Sequence, residues 1–356
     1  VNIVNMENNK AIAKSAPQSA VDFEERNRIV HAIQKGEFWK PCPGTTAGYY
    51  CCGYQIITPM TGCGMYCRYC ILQAYLEQQH QVVFDNFEQL QHEVREKLTR
   101  WQGVVRFGTG EFADSLYLEP TLGISKKIAA LLAPYPNVLV EFKSKSTNSD
   151  SLDAIEDKSK VVVGFSMNTP AMIAALEQGT ADLEQRLAAA RRCVKMGFWV
   201  AFHFDPMVHY HGWEEQYRVV VGRIFEAIDE PQKIAWWSMG GFRTMPSLKK
   251  MLRAQGSHLP LFNGELVAGE DRKLRYFRPI RIDFYRAMQQ EVERYYPRVP
   301  LYLCMESPEV WQRCGMSKRI PNGLVDYLDT RAQIMLGLRQ HSDNPWLDNA
   351  QTTECH

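Results

Sequence analysis

The chain has 356 residues, room for two domains of ordinary size or one large barrel, and its 45% hydrophobic and 23% charged content exclude general disorder. Lys+Arg 41 against Asp+Glu 40 leaves a net charge of +1, which excludes a whole-molecule field drawing the protein onto nucleic acid or membrane; any polyanion site must be a local patch. No run of about 18 apolar residues is present to span a membrane, and the first residues lack the charged-then-apolar pattern of a secretory signal. The expected location is therefore the reducing cytoplasm, where ten cysteines point to metal binding or redox chemistry rather than to disulfides.

In chain order, residues 1–48 are polar and rich in Ala, Ser and Gln, and read as an N-terminal extension with frayed first residues and a helix from about Val21 to Gln34. Over residues 49–245, short apolar runs alternate with amphipathic segments. The runs are Gln55–Met60, Val104–Phe107, Val138–Phe142, Val161–Phe165, Phe198–Phe202 and Ile234–Trp237. The segments Phe87–Leu98, Leu122–Leu132, Leu183–Val194 and Trp213–Ile228 carry apolar residues at three- and four-residue spacing. This alternation predicts an α/β fold with a parallel sheet covered on both faces, and six units fit a partial or full barrel. Residues 246–338 read as a C-terminal addition, with a basic helix from about Arg272 to Tyr295 and a short strand Pro300–Cys304, and residues 339–356 as a polar tail. In barrels, chemistry sits where strands end at the C-terminal face, so polar residues just after each run become the site candidates.

Directly after the first run stands Cys63-Gly64-Met65-Tyr66-Cys67-Arg68-Tyr69-Cys70. Three thiolates at this spacing can face one small volume, and they suit an iron–sulfur cluster or zinc. Structural zinc takes four ligands, and no fourth Cys or His lies near in sequence; three suit a [4Fe–4S] cluster with one iron open. Cysteines without metal are the remaining reading.

This loop, placed after the first strand of a β/α array with an aromatic before its last cysteine, resembles the radical S-adenosylmethionine (SAM) superfamily. The resemblance implies that Cys63, Cys67 and Cys70 hold a [4Fe–4S] cluster and that SAM chelates the open iron. An electron donor such as flavodoxin or ferredoxin would reduce the cluster, and SAM would be split to a 5′-deoxyadenosyl radical. It also implies that Tyr69 lies against the adenine.

The other strand ends extend the match. Gly108-Thr109-Gly110-Glu111 resembles the superfamily's glycine-and-glutamate motif: glycines admit a ligand close to the backbone, and Glu111 would accept the SAM ammonium. Lys145, Ser166 and Asn168 follow the third and fourth runs and suit the SAM carboxylate. His203 and Asp205 follow the fifth; His203 could be a satisfied core histidine, and its register facing the barrel mouth favours a ligand or substrate role. Together with Cys304-Met305-Glu306-Ser307 and Arg275-Tyr276-Phe277, the string from about residue 50 to 320 resembles the spore photoproduct lyase family. That family implies a partial (β/α)6 TIM-type barrel, here with an N-terminal helical extension and a C-terminal α/β addition, and hydrogen abstraction from a thymine dimer in DNA.

Two relay positions depart from the family. Gly110-Glu111-Phe112-Ala113-Asp114-Ser115 holds no hydrogen-donating cysteine, and Ile71 stands where a tyrosine follows the third ligand. Cys304, at the end of the late strand, is the candidate replacement, the alternative being a buried free cysteine packed as a small hydrophobe, and of the adjacent Cys51 and Cys52, which cannot both aim at one point from a strand, at most one would contribute. Cys42, Cys193, Cys314 and Cys355 show no metal spacing, which argues against an auxiliary cluster.

Between Arg272 and Arg298 there are eight Lys/Arg against three acids, with aromatics interleaved. Arg275, Tyr276, Arg278 and Arg281 could hold phosphates and stack an extruded base, or the segment is a solvated helix face with its aromatics in the core. Three readings follow: a radical SAM enzyme acting on a pyrimidine dimer or modified nucleobase, the same chemistry on a small metabolite or peptide, or a non-enzymatic iron–sulfur nucleic-acid-binding protein.

Overall fold

The structure is a computed structural model and describes residues 3–5, 23–78, 80–254, 259–262 and 264–340. The polar tail beyond residue 340, Cys355, and most of residues 1–22 lie outside the described residues.

Seven parallel strands form the centre: β1 (Gln55–Ile57), β2 (Val105–Gly108), β3 (Val138–Ser144), β4 (Val161–Ser166), β5 (Trp199–Met207), β6 (Ile234–Gly241) and β7 (Leu301–Leu303). They lie side by side in chain order, and Trp39–Pro41 joins antiparallel to β1 to complete an 8-stranded curled sheet. β7 and Trp39–Pro41 are its two edges, so the barrel stays open. Near-continuous Val/Ile/Phe runs make the strands: all six residues of β4 are buried, as expected where helices cover one face and side chains fill the other.

The crossover helices form where the spacing predicts. In Phe87–Arg100 the buried residues are Leu90, Val94 and Leu98, one per turn on a single face. Leu183–Lys195 starts at a capping box in which Asp182 accepts from the Gln185 backbone N–H and Gln185 reaches back to Asp182. The helices Trp213–Ala227 and Arg278–Tyr295 are tied to the sheet by an aromatic stack. Phe204 of β5 stacks on Trp237 of β6 (5.2 Å between centroids), Trp237 on Phe225 (6.0 Å), and Phe225 on Tyr295 (5.1 Å).

Three expectations are corrected. The N-terminal helix covers only Phe23–Asn27; Ile29–Ala32 is a strand, paired in parallel with Gln81–Phe84 in a small 4-stranded sheet. Among the described residues the extension thus contributes short strands as well as this helix, because the β-branched pair Ile29-Val30 is buried against a partner some fifty residues away. Second, the basic helix begins at Arg278, where Pro279 sits in the first turn; Leu274–Tyr276 is instead the middle strand of a 3-stranded antiparallel sheet. Third, β7 comes from the segment expected as a separate addition, and it pairs with β6 to extend the main sheet.

Among the described residues, no helix is long and apolar enough to cross a membrane. Trp237 is fully buried at the centre of the stack, so Trp237→Ala is expected to destabilise the fold by about 3–5 kcal/mol in urea unfolding; a midpoint unchanged from wild type would show that the stack does not anchor the helices.

Candidate functional site

The cysteine loop leaves the sheet at Gly62, whose φ of +86° and packing on the His80 carbonyl admit no side chain without strain. Tyr66 and Cys67 then pair antiparallel with Glu177–Gln178, and the Arg68 backbone N–H donates to the Leu176 carbonyl at 2.8 Å. The Tyr69 hydroxyl donates to Glu177, which forms a buried ion pair with Arg186 at 2.6 Å. Arg186 also donates to the carbonyls of Ala181 and Ser166, so the loop is held to the end of β4 through a fully satisfied guanidinium.

All three thiols, Cys63, Cys67 and Cys70, line one cavity of about 170 Å³. Its other walls carry Gly110, Glu111, Asp114, Lys143, Lys145 and Ser166. Burial pushes the bare thiols up, Cys63 to about 12, and the Lys145 ammonium opposes this at each of them. Among the described residues, no three His, Cys, Asp or Glu side chains are gathered tightly enough to grip a single metal ion. The thiols converge on a space rather than on a point.

Of the residues expected around SAM, Gly110, Glu111, Lys145 and Ser166 line this cavity. Glu111 takes the Lys143 ammonium on one oxygen at 3.2 Å, and its other oxygen is buried without a partner. Gly108 lies below, where a Cβ would strike the Tyr54 ring. Tyr69 and Asn168 are absent from the cavity wall. Tyr69 is buried with its hydroxyl committed to Glu177, and Asn168 accepts from the Tyr217 hydroxyl at 2.8 Å and donates to the Pro206 carbonyl at 3.4 Å. Both support the wall from behind.

Asp114 was missed by the sequence reading. Its carboxylate accepts from the Ser144 hydroxyl (2.7 Å) and from the backbone N–H of Lys145 (2.8 Å) and Leu116 (3.1 Å), which fixes the loop that carries Lys145. Lys143 was missed too. Its ammonium resists burial because Glu111, Glu141 and Asp205 surround it, and it is held above its ordinary pKa.

A second cavity, of about 260 Å³, adjoins the first and shares Ile71, Gly110, Glu111 and Lys143 with it. Asp205 and Cys304 stand on its wall, as the strand-end rule predicts. Asp205 accepts from the Ser238 hydroxyl at 2.9 Å, and Arg243 donates to the Cys304 sulfur at 3.4 Å. Burial, then the Asp205 charge, pushes the Cys304 thiol up to about 12. His203 is different: it lines neither cavity, and its Nε2 lies 2.5 Å from Glu141 inside the barrel. Glu141 also accepts from the Tyr54 hydroxyl (2.6 Å) and Trp236 Nε1 (3.3 Å), so His203 is spent on a buried carboxylate rather than on a ligand.

Cys42, Cys51 and Cys52 also reach the second cavity. The expectation that only one of the adjacent pair would face the site assumed a strand, and β1 starts only at Gln55. The Cys52 thiol donates to Cys51, which with the Thr45 hydroxyl and Gly53 N–H brings Cys51 down to about 5 and leaves Cys52 well above its ordinary value.

The expected phosphate-binding residues are occupied. Arg275 is buried and doubly hydrogen-bonded to Asp271 at 2.6 and 2.7 Å, with Tyr49 beneath it. Arg278 pairs with Glu309 at 2.5 Å and Arg281 with Glu306 at 2.9 Å. Tyr276 is buried and accepts the His209 backbone N–H. The carboxylates that neutralise these cations come from outside the strand and helix that carry them: Asp271 from the preceding turn, and Glu306 and Glu309 from the segment after β7.

Two variants test this geometry. Removing one partner of the buried Arg186–Glu177 pair, as in Glu177→Gln, is expected to cost about 3–5 kcal/mol in denaturant unfolding; a loss below about 1 kcal/mol would contradict the anchoring role. Glu141 is held below the ordinary carboxyl value of 4.5 although burial opposes ionisation, because His203 and Tyr54 favour the charged form. A depressed carboxyl stabilises the fold above 4.5, and that stability is lost as pH falls through the depressed value. Glu141→Gln should therefore flatten the acid limb of the stability curve, and an unchanged limb would exclude Glu141 as its source.

Comparison with known proteins agrees with this architecture. The family model for spore photoproduct lyase matches residues 51–252, more than half of the chain. The chain is 21% identical over 212 residues to spore photoproduct lyase of Clostridium acetobutylicum, covering 59% of this chain and 61% of that one. It is 26% identical over 162 residues to that of a Geobacillus species, covering 44% and 47%. It thus spans between about half and three-fifths of the length of these curated relatives. A solved spore photoproduct lyase variant with bound AdoMet and dinucleoside spore photoproduct superposes with a TM-score of 0.71 at 18% identity, covering 82% of this chain and 87% of that one. Another, complexed with dinucleoside spore photoproduct, gives 0.70 at 18% identity, covering 81% and 87%. The shared fold is the partial TIM-type barrel of these structures, and the chain belongs to the spore photoproduct lyase family.

Proposed function

We propose that this protein is a radical SAM enzyme whose substrate occupies the second cavity. The observation that carries the reading is the shared cavity itself: three thiols on one side, and on the other the Lys145 ammonium and a Glu111 carboxylate with one oxygen free. These residues fit a thiolate-held cluster with an amino acid moiety beside it. When bound, a [4Fe–4S] cluster and SAM supply, after one-electron reduction by a flavodoxin- or ferredoxin-type donor, a 5′-deoxyadenosyl radical that takes hydrogen from a nearby C–H bond.

The chain's own residues bind and orient. Cys63, Cys67 and Cys70 would hold the cluster, Glu111 would accept the SAM ammonium, and Lys145 and Ser166 would face its carboxylate. Gly110 keeps the wall between the two cavities thin, since a Cβ there would stand 3.0 Å from the Lys143 side chain. Lys143 and Glu111 lie where the two spaces meet and fix the polarity of the passage.

The family context favours a pyrimidine dimer or modified nucleobase as substrate, and solved relatives carry dinucleoside spore photoproduct. With no cysteine after β2, Cys304, on the wall of the second cavity beside Arg243, would return hydrogen to a product radical. A hydrogen-atom donor must keep its S–H bond, and Cys304, with its pKa pushed up, does so at neutral pH. The self-neutralised Arg275, Arg278 and Arg281 favour a second reading, in which the same chemistry acts on a small metabolite or peptide. The work would take place in the reducing cytoplasm.

Anaerobically reconstituted, dithionite-reduced protein is expected to convert SAM to 5′-deoxyadenosine, and Cys67→Ala to fall to background. Absence of 5′-deoxyadenosine from the intact protein would overturn the proposal. With a deuterated substrate, Cys304→Ala should lower the ratio of correctly quenched product to 5′-deoxyadenosine; an unchanged ratio would exclude Cys304 as the donor.

A further inference from the structure

The proposed function uses Lys143 and Lys145, but a third cation lines the cysteine cavity: Arg26, from the N-terminal helix Phe23–Asn27. It is only 6% exposed. Its guanidinium carbon lies 4.5 Å from the centre of the Tyr66 ring, the residue before Cys67. The backbone around it is fixed. Gln81 Nε2 donates to the Arg26 carbonyl at 3.1 Å, the Gln81 N–H donates to the Arg28 carbonyl at 3.0 Å, and the Tyr117 hydroxyl donates to Asn27 at 2.6 Å. Tyr117 in turn packs on the cysteine loop, where a Cβ on Gly64 would strike its ring. A segment outside the barrel is thus clamped to the loop and brings a charge to the thiols.

The charged side chains on this wall are Arg26, Lys143 and Lys145 against Glu111 and Asp114. Lys143 pairs with Glu111 at 3.2 Å, and Asp114 is taken by the Ser144 hydroxyl and by the backbone N–H of Lys145 and Leu116. Lys145 is the ammonium assigned to the SAM carboxylate. Arg26 lies against the loop itself, and its charge reaches the sulfurs: burial pushes the Cys70 thiol up, while Lys145 and then Arg26 oppose it. A guanidinium keeps its charge even when buried. Reduction adds one negative charge to a cluster that three thiolates already make anionic. In a low-dielectric cavity a fixed cation beside the sulfurs favours that reduced form.

We infer that Arg26 sets the reduction potential of the cluster: its guanidinium, clamped over Tyr66 beside the three thiols, stabilises the form that has taken one electron from the flavodoxin- or ferredoxin-type donor. The inference rests on the reading of Cys63, Cys67 and Cys70 as cluster ligands. Arg26 touches no reacting atom and acts only through the field it sets at the thiols. The N-terminal helix that carries it becomes part of the cofactor site.

The test is an anaerobic redox titration of the reconstituted full chain, followed by electron paramagnetic resonance of the reduced cluster. Arg26→Gln should shift the reduction equilibrium about tenfold toward the oxidised form, which is about 59 mV to lower potential for one electron. Arg26→Met, which keeps much of the buried stem, should shift it alike. Arg26→Lys restores the charge and should stay near wild type. Arg28→Gln should also stay near wild type, since Arg28 is on the same segment but off the cavity wall and pairs with Glu25 at 2.6 Å. The sign separates charge from packing. A variant that merely loosened the segment would admit water, which favours the more highly charged reduced form, and its potential would rise.

A potential that is unchanged or raised in both neutral variants overturns the inference, as does a fall that Arg26→Lys shares in full. Loss of iron from both neutral variants also overturns it, because Arg26 would then serve assembly of the site rather than its potential. A wild type with no reducible cluster overturns the cluster reading and the inference with it. A reducible wild-type cluster whose potential ignores Arg26 overturns the inference alone.

Discussion

The buried ion pair between Arg186 and Glu177 is the constraint on which the site depends. A loop bearing three cysteines has no periodic structure of its own, so something rigid must hold it over the barrel mouth. Glu177 does this with two kinds of contact: its strand pairs with Cys67, and its carboxylate takes the Tyr69 hydroxyl two residues further on. Burying a carboxylate is tolerable only because a fully buried guanidinium meets it and spends its remaining donors on Ala181, Ser166 and Thr180. Ser166 ends β4, so the position of the thiols is referred directly to the sheet.

A second buried carboxylate organises the interior beneath. Glu141 of β3 gathers Tyr54, His203 of β5 and Trp236 of β6, and Gly164 of β4 lacks a side chain where these groups meet. Above this polar layer, Lys143 and Glu111 divide the space into two adjoining cavities of different chemistry. One is walled by thiols, an ammonium and a half-free carboxylate, the other by Cys304, Asp205, Arg243 and Lys273. Under the proposed function the first would hold the cofactors and the second the substrate, the adjacency that short-range radical transfer requires.

Much of this was legible in the sequence because it is local. The spacing of Cys63, Cys67 and Cys70, the glycines before Glu111, and the apolar runs of the strands are each set by neighbours in the chain. Partners distant in sequence were not legible. Asp114, Glu177 and Lys143 look like ordinary surface residues until the fold brings them to Lys145, Arg186 and Glu111. His203 was in the right register but was claimed by Glu141 from an adjoining part of the barrel. The basic segment misled partly for the same reason: Glu306 and Glu309, from the segment after β7, neutralise Arg281 and Arg278, while Asp271, four residues before Arg275, lies just outside the stretch counted. The adjacent pair Cys51-Cys52 was judged by strand geometry, yet it precedes the strand.

The central claim is that Cys63, Cys67 and Cys70 hold a four-iron cluster with one iron open to SAM. Electron paramagnetic resonance of the anaerobically reconstituted, reduced protein tests it most directly. The account predicts the signal of a one-electron-reduced [4Fe–4S] cluster that changes shape when SAM is added, and loss of that signal in a Cys63→Ala, Cys67→Ala, Cys70→Ala triple variant. A cluster signal that SAM leaves unchanged, or one that survives removal of all three thiols, would contradict it.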